Sequence, residues 1–149
     1  MDYTILRATE EWQRAASYFV RINAMNRKYH IPLRDEFDCH DNDSSKYVIL
    51  LDDTYPISTV RFYEIDSSTA LIGRLVVLDE YRNKGLGKIT MQEAEKWIKE
   101  LGYKKIVIDS RLEAIDFYKK CDYKLVENCG CKCKSKTKTF ECIRMEKDI

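Results

Sequence analysis

No run of 18 or more apolar residues occurs in the 149-residue chain, so no membrane-crossing helix is expected. The opening Met1-Asp2-Tyr3-Thr4 has neither the basic residues nor the apolar stretch of a secretory leader, and the expected location is the cytoplasm. Net charge is nearly absent at +1, which argues against a protein built to coat nucleic acid, although local basic patches stay open. Internal repeats and linker-like stretches are missing too. The length suits about one domain, taken as residues 1–149, with a single core. What is there is ordinary globular material: 44% hydrophobic and 34% charged residues exclude a disordered or collagen-like chain. The cysteines, Cys39, Cys121, Cys129, Cys131, Cys133 and Cys142, are expected as reduced thiols, because a chain of this size builds a core without cross-links.

Periodicity gives the order of elements. Tyr3 to Arg7 reads as a strand. Thr9 is an expected helix N-cap, and Trp12, Ala15, Ala16, Phe19, Ile22 and Asn26 mark one helical face. That helix is expected to fade before Pro32. Residues 33 to 46 read as an acidic loop or a short second helix. Tyr47 to Leu51 and Ile57 to Ile65 form a hairpin around Asp52-Asp53-Thr54-Tyr55-Pro56, and Ala70 to Leu78 follows as a strand. A helix spans about Gly85 to Leu101, with Leu86, Thr90, Ala94, Trp97 or Ile98, and Leu101 facing inward. Lys104 to Asp109 is a strand, Leu112 to Cys121 a helix, and Tyr123 to Glu127 and Phe140 to Met145 are the last strands. Strands in neighbouring runs with helices between them predict an α/β (α+β) fold, a mixed sheet covered by helices.

The most informative stretch is Val76-Val77-Leu78-Asp79-Glu80-Tyr81-Arg82-Asn83-Lys84-Gly85-Leu86-Gly87-Lys88. An apolar strand runs into a basic, glycine-containing turn that opens an amphipathic helix. The first helical amides lack intrahelical acceptors, and the helix dipole there favours an anion. Gly85 and Gly87 remove side chains where an anion would touch backbone, while Arg82, Lys84 and Lys88 add positive charge. This predicts a phosphate or pyrophosphate site. The alternative is a strand-to-helix turn with solvated lysines. The spacing matches neither a P-loop nor a dinucleotide-binding Gly-x-Gly-x-x-Gly.

Arg82-x-x-Gly85-x-Gly87 resembles the acyl-CoA pyrophosphate motif of the GCN5-related N-acetyltransferase (GNAT) superfamily, as does the preceding Glu80-Tyr81. Ala114-Ile115-Asp116-Phe117-Tyr118-Lys119-Lys120-Cys121-Asp122-Tyr123 resembles that superfamily's Ala-x-x-Phe-Tyr-x-Lys-x-Gly-Phe/Tyr segment. Ile31-Pro32, Asp35-Glu36-Phe37-Asp38 and the ending Ile143-Arg144-Met145-Glu146-Lys147 look like a small bacterial branch of it without a settled substrate. The resemblance implies a mostly antiparallel seven-stranded sheet with a splayed parallel pair, Leu75 to Leu78 and Ile106 to Asp109. It implies acetyl-CoA as cosubstrate, with Leu75, Val76 and Val77 on the pantetheine arm. Arg82, Asn83, Lys84, Gly85, Leu86, Gly87 and Lys88 would hold the pyrophosphate, and no metal would be needed. The implied activity is acetyl transfer to a primary amine of a small molecule or a protein, by direct attack on the thioester. A non-catalytic CoA-binding sensor or interaction module is the alternative on the same fold.

Tyr118 matches the tyrosine that often serves as general acid toward the thiolate and would also contact the cosubstrate; a phenol is protonated at neutral pH. Its other role would be packing beside Phe117. Glu64, Glu80, Asp38, Asp41, His40 and His30 are all conceivable proton acceptors; none is identified by the sequence, and Glu64 stands first only because it ends a strand near the expected cleft. Two positions depart from the resemblance. Asp122 stands where relatives have glycine, in a turn that aspartate can still adopt. Arg111 stands where many carry an asparagine that contacts the cofactor arm.

Cys129-Gly130-Cys131-Lys132-Cys133-Lys134-Ser135-Lys136-Thr137-Lys138 is expected as a polar loop between two strands. With Cys142 it could offer four soft ligands to zinc, but structural zinc sites favour wider steps in two pairs. Its single neighbouring aromatic, Phe140, argues against a nucleic-acid surface. A substrate-docking edge or a homodimer contact is as open as plain solvation. The acidic stretch from Asp35 to Asp43 is expected as a charged surface loop, or as carboxylates that suit a cationic amine.

Overall fold

β-Branched and apolar runs become the strands, and the two long amphipathic stretches become the helices that cover them. In the computed structural model, described for residues 2–134 and 139–149 with side chains for 2–126 and 141–149, the elements follow in this order. They are β1 (Tyr3–Arg7), α1 (Glu11–Arg21), α2 (Arg27–Tyr29), α3 (Leu33–Glu36), β2 (Lys46–Asp52), β3 (Tyr55–Asp66), β4 (Thr69–Val77), α4 (Leu86–Glu100), β5 (Lys105–Arg111), α5 (Ile115–Lys120), β6 (Lys124–Lys134) and β7 (Thr139–Asp148). The seven strands form one sheet in the order β1-β2-β3-β4-β5-β7-β6. Every neighbouring pair is antiparallel except β4 and β5, which run parallel. The mixed, mostly antiparallel fold expected from the sequence is the one found.

Alternate residues of a strand face opposite sides of a sheet, and adjacent residues of β3 show which helix lies where. Ser58 accepts a hydrogen bond from Thr90 of α4 at 2.8 Å, while Thr59 and Ser17 of α1 share one at 2.6 Å. The two helices therefore cover opposite faces. Met91, Ala94 and Ile98 of α4 pack on Val48, Val60, Phe62, Ile72, Ile106 and Ile108, and Tyr118 and Tyr123 join the same core, whereas Leu101, expected on the inner face, caps the end of the helix and stands exposed. Beneath α1, Ala16 meets Ile49 and Leu51, and Val20 and Ala24 meet Leu50 and Ile57.

The first helix departs from its expected register. Glu10, not Thr9, is the N-cap, and the Gln13 side chain accepts the Thr9 and Glu10 amides at 2.7 and 2.9 Å. Its buried residues are Gln13, Ala16, Ser17, Val20 and Arg21, whereas Trp12 is 51% exposed. Apolarity misled here because three of the inward positions carry polar side chains that find partners inside. The helix continues through a wide turn, Ile22–Asn26, into α2 and stops at His30 in left-handed geometry (φ 55°), before Pro32.

The C-terminal correction is larger. Lys124–Lys134 is one strand, paired with Thr139–Asp148 in a register that sets Cys131 opposite Cys142 and Cys133 opposite Phe140. The expected loop over residues 129–134 is therefore a strand; alternation of cysteine with lysine and glycine is a period of two, which suits a strand. The zinc question falls on side chains outside the described residues.

β4 and β5 pair from Thr69↔Lys105 to Ile72↔Ile108 and no further. Of the expected splayed pair, Leu75 to Leu78 lies beyond the ladder, whereas Ile106 to Ile108 is paired within it, so on β5 the parting begins only after Ile108. The cause is visible on the other side of β4. Arg61 faces Gly73 and Thr59 faces Val76, so β4 carries one residue more than β3 across that interval. Arg74 sits in the bulge with φ 54°. A bulge bends its strand and raises local twist, which turns Leu75, Val76 and Val77 away from β5.

Candidate active site

A cleft of about 680 Å³ opens in this gap. Leu75, Val76, Val77, Arg82, Asn83, Gly85, Leu86, Gly87, Lys88 and Tyr118 line it. Lys84, the remaining residue singled out from the sequence, does not line it; its ammonium lies 5.5 Å above the Tyr81 ring.

At one end, Asn83 (φ 63°) and Gly85 (φ 76°) both adopt left-handed geometry and lead into α4 at Leu86. Ile89 is the first residue of the helix to donate back, to the Gly85 carbonyl at 3.3 Å, so the amides of Leu86, Gly87 and Lys88 precede the intrahelical ladder. Space for an anion is real: a Cβ built on Gly85 would meet nothing within 4 Å. Gly87 has a different task. A Cβ there would lie 3.5 Å from Val77 Cγ2 and 3.7 Å from Phe117 Cζ. The glycine turn and the Phe117-Tyr118 segment, thirty residues apart in sequence at Gly87 and Phe117, thus come close enough that one added methyl group would bring them into contact.

Tyr118 is the buried residue of α5, 8% exposed, with its ring edge-on to Phe117 and Tyr123 at 5.2 and 6.0 Å. Burial, with a smaller effect from Cys121, pushes its phenol well above the ordinary tyrosine range, so the proton stays on at neutral pH. The turn after α5 is made by Asp122 in left-handed geometry (φ 72°), as the replacement of glycine by aspartate requires. Arg111 lines the cleft, its guanidinium paired with Glu113 at 2.5 Å and lying 5.4 Å above the Tyr29 ring from the opposite wall.

The other end is built by residues 21–74, and its construction was not foreseen. Arg21 is fully buried and hydrogen-bonds Glu36 Oε1 at 3.1 Å, both Asp41 oxygens at 2.7 and 3.0 Å, and the Glu36 carbonyl at 3.0 Å. Phe37 stacks on it at 4.6 Å. Arg61 holds Asp38 at 2.9 and 3.3 Å and Asp41 at 3.1 Å. Arg74, from the bulge, reaches the Glu36 carbonyl at 3.1 Å and Asp38 at 3.2 Å, fastening α3 beside the point where the strands part. The acidic segment is therefore solvated at Cys39, Asn42 and Asp43, as expected of a surface loop, while the side chains of Glu36 and Asp41 are buried as one side of an arginine–carboxylate network. Burial opposes charge on Asp41 and Asp38. Arg21 and Arg61 outweigh it and hold both carboxyls below the usual range.

None of the six proton acceptors considered from the sequence lines the cleft. Asp38 and Asp41 are committed to arginines. His40 stacks flat on Tyr63 at 3.9 Å, and Glu64 accepts the Tyr103 hydroxyl at 2.7 Å on the exposed end of β3. Glu80 and His30 are exposed. The carboxylates that do line it are Asp35, Glu36, Asp109 and Glu113. The signal for the missed residues was faint: Arg61 and Arg74 interrupt otherwise apolar strands, where a charge without a partner would be costly.

A sheet split between two parallel strands, with the uncapped amides of a helix start at one end of the split, is the architecture that the resemblance implied. The chain belongs to the acetyltransferase (GNAT) family, whose sequence model matches residues 6–123. YjcF, an uncharacterized N-acetyltransferase of Bacillus subtilis, is 25% identical over 119 residues, covering 80% of this chain and 84% of that protein. A crystal structure from Lactobacillus plantarum, of a protein provisionally assigned as an N-acetyltransferase, is 26% identical with a TM-score of 0.87 over 99% of both chains. The fold also matches that of the PaiA N-acetyltransferase from Thermoplasma acidophilum in complex with coenzyme A, at 18% identity and TM-score 0.72 over the full length of both. Among the described residues, no helix is long and apolar enough to cross a membrane.

Proposed function

We propose that the chain transfers an acetyl group from acetyl-CoA to a primary amine by direct attack on the thioester. The observation that carries this is the cleft itself, where the glycine turn, the diverging edge of β4 and the buried Tyr118 are brought together. The residues present fit the cosubstrate. The space before Gly85 and the free amides of Leu86, Gly87 and Lys88, with Arg82 and Asn83 beside them, suit a pyrophosphate. Lys84 contributes charge from outside the cleft rather than a contact. Backbone groups of Leu75, Val76 and Val77 that no longer face β5 suit the amides of the pantetheine arm.

Acetyl-CoA supplies the acyl group as a reactive thioester. The amine must reach it without its proton, and its C–N bond forms as the C–S bond breaks. Burial keeps the Tyr118 hydroxyl protonated, so it can donate a hydrogen bond to the departing sulfur, while the proton lost by the amine as the C–N bond forms ends on the thiol. The second reading is a CoA-binding module without catalysis. Its support is that no proton acceptor named from the sequence lines the cleft.

Thermal stabilisation by a panel of acyl-CoAs, followed by thiol release over a panel of amines, tests both. Acetyl-CoA is expected to raise the Tm, by about 2.7 kcal/mol of linkage at a hundredfold excess over Kd, and thiol release is expected with an amine present. Absence of any acyl-CoA shift would remove the assignment; a shift without amine-dependent thiol release would leave the binding module.

A further inference from the structure

The cleft does not match each of its carboxylates with a cation. Of its four lining carboxylates, Glu36 is paired with Arg21 at 3.1 Å, Asp109 with Arg144 at 2.6 Å and Glu113 with Arg111 at 2.5 Å. Asp35 has no ion pair among the described residues, and its Oδ2 is sealed from water without a hydrogen-bond donor. That oxygen lies out of a ligand's reach; the other is not sealed, and a cation in the cleft meets the carboxylate there. The position is held in place. Arg74 fastens the neighbouring Glu36 carbonyl to the bulge, so Asp35 stands beside the opening of the strands.

We propose that Asp35 grips a cationic nitrogen of the acceptor that does not itself react, and that the acceptor is a small alkyl diamine or polyamine. The proposal rests on the acyltransferase reading above. A nitrogen that attacks a thioester has to be neutral, so it is a poor lasting partner for a carboxylate; a second ammonium keeps its charge throughout. The rest of the wall suits the alkyl chain between the two nitrogens: Met25, Tyr29 and Ile31 line the same cleft. The Tyr29 ring also receives a cation, with the Arg111 guanidinium lying 5.4 Å above it.

The test compares 1,4-diaminobutane with butylamine as acceptors, by thiol release from acetyl-CoA and by calorimetry on the CoA-saturated protein. The wild type is expected to prefer the diamine by about 10–100-fold in kcat/KM, the range of one charge-assisted hydrogen bond, through KM rather than kcat. Asp35→Asn should bring that ratio close to one and weaken diamine binding in calorimetry by a similar factor, and Asp35→Glu should restore part of it. A wild type that turns over butylamine with no diamine preference would overturn the assignment of Asp35 while leaving the acyltransferase reading intact. So would an Asp35→Asn variant that loses kcat with an unchanged KM for the diamine, which is the signature of a base. Failure of acetyl-CoA to stabilise the wild type would remove both. Calorimetry needs no turnover, and a wild type that does not bind the diamine also overturns the proposal.

Discussion

The two ends of the cleft are made of different materials. The helix-start end is backbone: two left-handed residues, three amides ahead of the α4 ladder, and a glycine that lets Val77 and Phe117 close in. The acceptor end is side chain: Arg21, Arg61 and Arg74, drawn from three elements, holding Glu36, Asp38 and Asp41. A backbone site is encoded by a few consecutive residues, and it tolerates change elsewhere. A network of buried charges is encoded by pairs far apart, and each member depends on the others.

That contrast can be broken most severely at Arg21. Arg21→Met is expected to cost about 3–5 kcal/mol in urea denaturation, because it leaves Glu36 and Asp41 buried without their principal cation. The same network sets the response to acid. Asp38 and Asp41 have depressed folded-state values, so their contribution is complete above the unfolded carboxylate range near pH 4 and is lost as the pH falls below it. Stability measured from pH 6 to pH 2 should fall steeply in the wild type and less steeply in Arg21→Met. No comparable dependence should arise from the glycine turn, which has no titrating group in its backbone.

Tyr118→Phe stands next in size. It is expected to lower kcat by about a hundredfold, near 2.7 kcal/mol, with acetyl-CoA binding retained and a Tm close to that of the wild type. Full thiol release by that variant would return Tyr118 to a purely packing role. The smallest effects sharpen the backbone end. Gly85→Ala meets no atom within 4 Å but must adopt φ 76°, at about 1–2 kcal/mol of stability. Gly87→Ala makes only ordinary contacts at 3.5 and 3.7 Å, and helix propensity offers up to about 1 kcal/mol in return. Gly87→Ala should therefore leave urea stability level or slightly raised while weakening acetyl-CoA in calorimetry. Equal loss of both would show that Gly87 serves packing alone.

The difference in material also explains what the sequence revealed. Strand order, the glycine turn and the Phe117-Tyr118 segment were legible because each is local: a period, a dipeptide geometry or a short motif. Even the aspartate that replaces glycine at position 122 could be placed correctly from its own conformational tolerance. Arg21 could not, since on a helical wheel it reads as polar and outward until Glu36 and Asp41 are known to arrive from elsewhere. Trp12 erred in the opposite direction and stands exposed. The bulge at Arg74 is hidden for a related reason, because an extra residue can be counted only against its partner strand. Alternating cysteines hid a strand behind an unusual composition.

The bulge has one further consequence. Exposed strand edges invite other chains to pair with them, and most proteins cover or blunt them. Beyond Ile72, one edge of β4 and one of β5 lose each other as partners, yet both stay flanked on the far side by β3 and β7. The unpaired edges face each other across the cleft, where the acyl-CoA proposed above would meet them. A single surplus residue thus turns a hazard of β-sheets into the wall of a cleft. Shortening β4 by that residue would let the missing rungs form, and the sheet would become more continuous as the cleft disappeared.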